Sequence, residues 1–537
     1  MIKTKHRNYS YLVILLAIIV IMIYRLVLTS FIGSEGLSYF SVGEILFLLF
    51  GVSIACGLEI SIGILVENRM NKQLFTNAKK VVLVGAEIAI LLGLVILVIL
   101  FLLGHRFSNN VFDMPLSYMS VLASIFAIPF FIFSAVFRGF FRGVGKFLIV
   151  CQSYIIFAVS YSLLGITFSY LLMKYGEKVT ALLRVEEYKY CYGALGAALG
   201  VLVSSIIVAL HIFIMFLVMN RRTIYSDGRD YSRNSENALG MSVNVLLNSL
   251  PSIGIWGAIA FTYFLDGVFV FKNKTAEFNM EFSYGEYYGK VIPIIAIIVA
   301  IIGMSANKYI KSSLKFVYHE ELRPAREMLS YLIHRCIVMG SFATAMVLVL
   351  SNNILEMLYK TNGSLVAEYL RLEAIVIFFA LFAICSIKLL ITLKYTQVAT
   401  IICLISTLVH GIMSYILIGT AHMSIKGLII SDLIFWAVIS VMGYMIIARC
   451  YQYTQEYFRN FLVTLIATGV VGFIAWLINK LIYPIWGCTV SIIIILCVSA
   501  LLDMVVLLIL KGYTENELVE TFIGRMMLGL GNFLKLM

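Results

Sequence analysis

The first apolar run of the chain, Tyr9–Ser30, reads YSYLVILLAIIVIMIYRLVLTS. A helix of about 20 such residues crosses the roughly 30 Å hydrocarbon core of a bilayer. Inside that core, only helices and closed barrels satisfy every backbone hydrogen bond. Comparable runs recur along the chain and predict about fourteen transmembrane helices. The further predicted spans are Ser41–Val66, Lys80–Leu103, Leu116–Phe141, Phe147–Leu172, Gly193–Val218, Ala238–Phe264, Tyr288–Ile310, Tyr331–Leu350, Tyr369–Leu393, Val398–Ile418, Gly427–Ala448, Phe461–Ile482 and Val490–Leu510.

The composition indicates the same class, an all-α polytopic membrane protein. Hydrophobic residues make up 62% of the 537 positions, charged residues only 13%, and the mean hydropathy is +1.00. A soluble chain of this length needs far more polar surface. The nine cysteines lie mostly in apolar runs without metal-binding spacing, so we interpret them as small buried residues. The first run is too long for a signal peptide and lacks a cleavage site, which predicts a retained helix.

The distribution of basic residues predicts the orientation. If the N-terminus is cytoplasmic, most lysines and arginines fall in cytoplasmic segments, as the positive-inside rule requires. This arrangement places both termini in the cytoplasm and requires an even number of spans. The formal net charge of +12 is then explained by a basic face toward anionic lipid, and no nucleic-acid partner is expected.

Weak internal similarity predicts two halves. Four short segments form two weakly similar pairs. These are Arg138–Lys146 with Lys388–Lys394, and Tyr192–Gly200 with Ile425–Ser431. Offsets of roughly 230–250 residues are typical of paired repeats, from which many transporters build two lobes around a central site. We therefore predict an N-terminal six-helix lobe over residues 1–220 and a C-terminal six-helix lobe over 238–450. Two extra transmembrane helices over 458–511 and an amphipathic tail over 512–537, lying on the inner membrane face, complete the predicted chain.

A set of ordered motifs carries a family resemblance. The stretch Arg25–Phe40, RLVLTSFIGSEGLSYF, places a basic residue before a glycine-rich turn and a second helix. Later motifs are Gly57-Leu58, Arg138-Gly139 with Gly143 and Lys146, Gly193–Gly200, and Leu265-Asp266 followed by Tyr284-Gly285. This set resembles the polysaccharide transporter branch of the multidrug/oligosaccharidyl-lipid/polysaccharide (MOP) exporter superfamily. Within it, the chain is most similar to stage V sporulation protein B-like proteins and to lipid II and O-unit flippases.

The resemblance implies two six-helix bundles around a central cavity, with alternating access and two extra C-terminal helices. It implies a flippase that moves an undecaprenyl-diphosphate-linked oligosaccharide across the bacterial cytoplasmic membrane. The alternative within this fold is a multidrug or cation antiporter, whose branch carries an acidic residue in the first helix; Tyr9–Ser30 contains none. The chain departs from the family pattern at Glu59 and in lacking glycines at the end of the tenth helix.

Ionisable residues at membrane depth are costly unless they are paired or wetted, so we expect them to face a cavity. Arg25 is the leading candidate, because a guanidinium holds a diphosphate through paired, charge-assisted hydrogen bonds. Candidates for headgroup binding are Arg25, Arg142, Lys290 and Arg335, and candidates for coupling or gating are Glu59, Glu87, Asp266 and Asp432. Glu59 and Glu87 are also possible partners of Arg25. The alternatives are interfacial anchoring for Arg25, Arg142 and Arg335, an interhelical hydrogen bond for Glu87, solvated rim charges for Asp266 and Lys290, and packing for Asp432. His410, alone on an apolar helix, is interpreted as a core residue.

Other classes of function find less support. The sequence contains no Walker A, HExxH or GxSxG motif, so we expect no enzyme activity and no cofactor, with Na⁺ or H⁺ as the coupling ion. A membrane glycosyltransferase or polymer ligase needs a large outer loop, and the longest hydrophilic segments, Lys174–Cys191, Arg221–Glu236 and Lys272–Tyr287, are too short for a catalytic domain. A scaffold has no need of buried charges. Expected partners are the lipid-linked sugar, membrane lipids, and cell-envelope glycosyltransferases or polymerases.

Overall fold

A computed structural model describes residues 2–224, 230–232, 236–273, 280–319, 321–360, 364–454, 456, 458–519 and 522–533. These ranges contain helices and turns and no β-strand, which confirms the predicted all-α class. The α-helices are α1 Ile2–Leu46, α2 Ser53–Asn71, α3 Phe75–Arg106, α4 Tyr118–Gly143, α5 Phe147–Leu183, α6 Glu187–Ile224, α7 Ala238–Lys272, α8 Met280–Glu286, α9 Ile292–Ser305, α10 Asn307–Tyr318, α11 Leu322–Tyr359, α12 Ser364–Thr392, α13 Thr396–Ser414, α14 Ser424–Tyr451, α15 Thr464–Ile509, α16 Glu515–Val519 and α17 Phe522–Phe533.

Twelve helical stretches of the described chain are long and apolar enough to cross a membrane, and the first of them is long enough to do so twice. It runs over 60 residues, Leu12–Asn71, or about 90 Å if straight. Gly33 interrupts it with φ 64° and ψ −177°, a conformation open essentially only to glycine. Arg25 forms an ion pair with Glu44, 19 residues away, whereas a straight helix would separate them by about 28 Å. The helix therefore folds back at Gly33 into two antiparallel arms.

The last long stretch, Phe458–Ile509, folds back in the same way. Gly487 has φ 74° and ψ −179°, and Val471 and Ile495, which precede and follow it, share one buried apolar cluster. With these two hairpins, the described part of the chain holds the fourteen spans that its apolar runs predict. The chain is a multi-pass membrane protein.

Two of the hydrophilic segments contain helices in their described residues. Residues 174–191 belong largely to α5 and α6, which meet at a short turn where Arg184 is left-handed, with φ 58°. The end of segment 272–287 forms α8, whose Glu286 is buried and bonded to Lys290 and Ser34. Because Lys290 neutralises Glu286, this end of α8 can be helical and buried despite its acidic residue.

The described residues form two compact units. The first comprises Met1–Pro293 with Thr396–Leu428, and the second comprises Ile294–Tyr395 with Ile429–Met537. In the first, α4 packs against α2, α3 and α6 and lies at the centre. In the second, α11 packs against α12 and α15 around Met346 and Leu350. The lobe boundaries at residues 220, 238 and 450 remain predictions.

Two polar contacts outside the spans fix connecting segments. Asp230, which precedes α7, accepts hydrogen bonds from the backbone N–H groups of Phe75 and Thr76, both at 3.1 Å, at the start of α3. Desolvation raises the pKa of Asp230, but hydrogen bonds from Thr76 and Ser232 outweigh it and lower the pKa to about 2. In the tail, Glu517 lies 2.8 Å from Nδ1 of His334 on α11, so this part of the tail is bonded to the protein.

Candidate functional site

The candidate site is centred on Arg25, about two turns before Gly33 on the first arm of α1. Its Nη2 donates to Oε1 of Glu44 on the second arm, and both side chains are largely buried. The rings of Phe40 and Tyr288 lie 5.4 and 5.8 Å from the guanidinium carbon. Aromatic faces at this distance attract a cation. The hairpin at Gly33 thus creates a charge-balanced site inside the membrane-spanning part of the first unit.

Glu44 and Arg25 differ in how many of their side-chain polar atoms have hydrogen-bond partners. Oε2 of Glu44 accepts a hydrogen bond from the Tyr288 hydroxyl at 2.8 Å, so both of its oxygens have partners. Nη1 of Arg25 is buried and has no hydrogen-bond partner in the described part of the chain. Leaving a buried donor unpaired costs about 1–3 kcal/mol, and more for a charged group. This edge of Arg25 is therefore free to bind a ligand that carries acceptor oxygens.

Lys290 belongs to the same region of the first unit. It lies two residues after Tyr288 in the π-helical turn Tyr287–Val291 and contacts both carboxylate oxygens of Glu286, at 2.6 and 2.7 Å. Glu286 also accepts a hydrogen bond from Ser34 on the second arm of α1. Lys290 is buried, so its charge is balanced by Glu286 in this conformation.

A second cluster surrounds Glu59 on α2. Its Oε2 lies 2.9 Å from Nε of Arg138 and 2.8 Å from the Tyr154 hydroxyl, and its Oε1 lies 3.4 Å from Nη1 of Arg142. The side chains of Arg138 and Glu59 are 3% and 5% exposed, whereas that of Arg142 is 47% exposed. The cluster carries one excess positive charge, and Arg142 presents it at an accessible surface.

A third polar contact joins α7 to α13. Oδ1 of Asp266 lies 2.9 Å from Nε2 of His410, and Ser414 lies 3.5 Å from the same carboxylate oxygen. All three side chains are buried. The structure therefore brings the predicted coupling or gating candidate Asp266 into contact with His410 in the interior of the first unit.

The remaining predicted residues lie elsewhere. Glu87 is on an exposed face of α3 among Leu83, Ile90 and Leu91. Arg335 lies in the second unit, 3.3 Å from Ser305 and with Tyr309 5.8 Å below its guanidinium. Asp432 is buried in α14 of the second unit.

The sequence left open whether Glu59 or Glu87 pairs with Arg25, and the structure assigns that place to Glu44. The signal was present, because Glu44 is an acidic residue within the second apolar run. The charge distribution along the sequence places Arg138 among the cytoplasmic basic residues, and the structure buries it against Glu59. His410, interpreted as a core residue, is buried but also bonded to Asp266. No sequence pattern indicated Tyr288.

No protein-family model and no curated protein matches the sequence. Solved structures do match the fold. An inward-facing multidrug resistance MATE family transporter of the MOP superfamily superposes with a TM-score of 0.58 at 15% identity, over 81% of this chain and 94% of that one. An outward-facing MATE transporter gives 0.55 at 14% identity, over 82% and 95%.

The protein has the fold of MOP-superfamily transporters. A third similar structure is a MOP superfamily transporter from Pyrococcus furiosus, described as having a binding pocket of reversed polarity that suggests a different function. Its TM-score is 0.50 at 14% identity, over 82% of this chain and 96% of that one. The shared architecture belongs to membrane transporters, while identities near 15% leave the substrate to be argued from this chain's own residues.

Proposed function

We propose that this protein is a flippase that translocates an undecaprenyl-diphosphate-linked oligosaccharide across the bacterial cytoplasmic membrane by alternating access. The observation that carries the proposal is the unused Nη1 edge of the buried Arg25. A diphosphate offers several charged acceptor oxygens, and a guanidinium binds such groups through two parallel hydrogen bonds. A cationic drug offers no acceptor of this kind.

Glu44 gives this site a defined resting state. In the empty protein it neutralises Arg25, which avoids an unpaired charge inside the membrane. An arriving diphosphate competes for the same guanidinium while its lipid tail stays in the bilayer. Lys290 and Arg142 are the further basic residues that the proposal assigns to the headgroup path. Arg142 is accessible and only loosely held by Glu59, so it suits an early contact with the substrate.

The membrane potential supplies a driving force. Moving charge across an inside-negative membrane is worth about 2.3 kcal/mol per charge per 100 mV. Outward movement of the two diphosphate charges is favoured by that potential and needs no ATP. An ion, H⁺ or Na⁺, resets the empty carrier, and the Asp266–His410 pair is the candidate coupling site on α7 and α13. Envelope glycosyltransferases would supply the substrate and polymerases would consume it.

A multidrug or cation antiporter is the second candidate. The observations that favour it are the similar fold of the MATE transporters and the buried Asp266–His410 pair, which could exchange a proton for a cationic drug. Against it, the first arm of α1 carries no acidic residue between Leu12 and Ile32.

Lipid analysis of cells depleted of the protein tests the proposal. Mass spectrometry is expected to show accumulation of one undecaprenyl-diphosphate glycan, which wild-type protein clears and an Arg25→Gln/Glu44→Gln variant does not. The paired substitution keeps the site neutral, so it removes the binding edge without leaving Glu44 as an unpaired buried charge. Unchanged lipid profiles together with increased sensitivity to cationic dyes would instead support the antiporter.

A further inference from the structure

Two buried tyrosine hydroxyls lie beside Arg25 and have no hydrogen-bonding neighbour except each other. Tyr24 directly precedes Arg25 on α1, and Tyr161 lies on α5, with the two ring centroids 4.4 Å apart. The two hydroxyls contact each other, neither bonds to any further group in the described part of the chain, and Nη1 of Arg25 has no partner there. Most buried polar atoms in folded proteins are fully bonded, so Nη1 and a hydroxyl pair without any further partner, on neighbouring side chains, require a common explanation.

These groups surround one location in the first unit. Tyr161 lies within electrostatic reach of both Arg25 and Glu44, and the Tyr288 hydroxyl donates a hydrogen bond to Glu44. Gly165, one turn after Tyr161, leaves room for the Tyr24 hydroxyl, because a Cβ there would lie 2.7 Å from that oxygen. Both arms of α1, α5 and the turn that carries Tyr288 therefore contribute to the location.

We propose that Nη1 of Arg25 and the hydroxyls of Tyr24 and Tyr161 form a binding site for one phosphoryl group of the substrate's diphosphate. This assignment rests on the proposed function and names the donors that complete its headgroup site. The two hydroxyls add hydrogen-bond donors without adding positive charge, so the empty site stays neutral with Glu44. A phosphoryl group has enough acceptor oxygens to satisfy all three donors together.

The two hydroxyls give the proposal a distinctive signature. Phenylalanine has the same ring as tyrosine, and removing either hydroxyl of the empty protein breaks only its contact with the other hydroxyl. Tyr24→Phe and Tyr161→Phe should therefore lower the melting temperature of the empty protein less than the loss of a well-formed buried hydrogen bond does, and the double variant should be close to wild type. Each should weaken binding of a lipid diphosphate by about tenfold, because a hydrogen bond to a charged oxygen is lost.

The experiment uses the full-length protein in nanodiscs, with farnesyl diphosphate as the probe and inorganic pyrophosphate to separate headgroup binding from lipid binding. Melting temperature and direct binding are measured for wild type, each Phe variant and the double variant. Tyr451→Phe is the matched control, because its hydroxyl in the second unit is bonded to Ser313 at 2.7 Å. This control should lose thermal stability and keep full affinity for farnesyl diphosphate.

Two results would overturn the assignment without touching the proposed function. One is a double Phe variant that binds farnesyl diphosphate as wild type does, while the Arg25→Gln/Glu44→Gln variant does not. The other is a loss of stability in the empty Phe variants equal to that of Tyr451→Phe, which would mean that the hydroxyls bind only water. Failure of wild type to bind farnesyl diphosphate, with saturable binding of ethidium, would refute the proposed function and the assignment with it.

Discussion

The two arginines beside Glu59 should differ sharply in what they contribute to stability. Arg138 and Glu59 are almost fully buried, and removing one partner of such a pair costs about 3–5 kcal/mol, since the other charge stays unpaired. Arg142 contacts the same carboxylate at 3.4 Å but is 47% exposed, where an ion pair is worth about 0–1 kcal/mol. We therefore expect Arg138→Gln to lower the free energy of unfolding by several kcal/mol more than Arg142→Gln.

The assay is equilibrium unfolding of the purified protein in mixed micelles titrated with SDS. A double-mutant cycle with Glu59→Gln isolates each pair. The Glu59→Gln/Arg138→Gln variant should be more stable than either single variant, because it restores neutrality in the buried site. Equal losses for Arg138→Gln and Arg142→Gln, or additive losses in the double variant, would refute the assignment of Arg138 as the buried partner.

Three further predictions concern transport, the last hairpin and pH. In vesicles, Arg25→Gln and Glu44→Gln should each reduce flipping of a fluorescent lipid diphosphate at least tenfold, and rates near wild type for either would exclude the pair from the substrate path. Gly487→Ala should lower the free energy of unfolding by about 1–3 kcal/mol, because its backbone conformation is open essentially only to glycine; Gly469→Ala, in the same helix with open space around its Cα, should be neutral or stabilising. The pKa of Asp230, about 2 against an ordinary 3.8, means that its stabilising contribution is present above pH 4 and lost as the pH falls through 2. Asp230→Asn should thus lower the melting temperature at pH 7, with the difference shrinking as the pH approaches 2, and a constant difference would contradict the hydrogen-bonded carboxylate.

The candidate site was only partly predictable from the sequence. Arg25 stood out because a charge within an apolar run is conspicuous in the sequence alone. Lys290 and Glu286 are four residues apart, so their pairing could have been predicted had residues 280–290 been recognised as helical. Tyr161 and Tyr288 carry no such signal, since tyrosines are frequent in membrane helices and only folding brings these two to Arg25.

The sequence by itself determined the membrane-spanning class, the fourteen spans and the position of Arg25 within the first of them. These features follow from the free energies of transferring side chains from water into the bilayer, which add up along about 20 consecutive residues. They can therefore be predicted without knowing any contact between helices. Only the tertiary structure decided that Glu44 and not Glu59 faces Arg25, and that Tyr288, 244 residues from Glu44, completes the pair. These partners depend on where Gly33 turns the chain and on how separate helices pack. Neither the turn nor the packing can be inferred from the spacing of residues along the sequence.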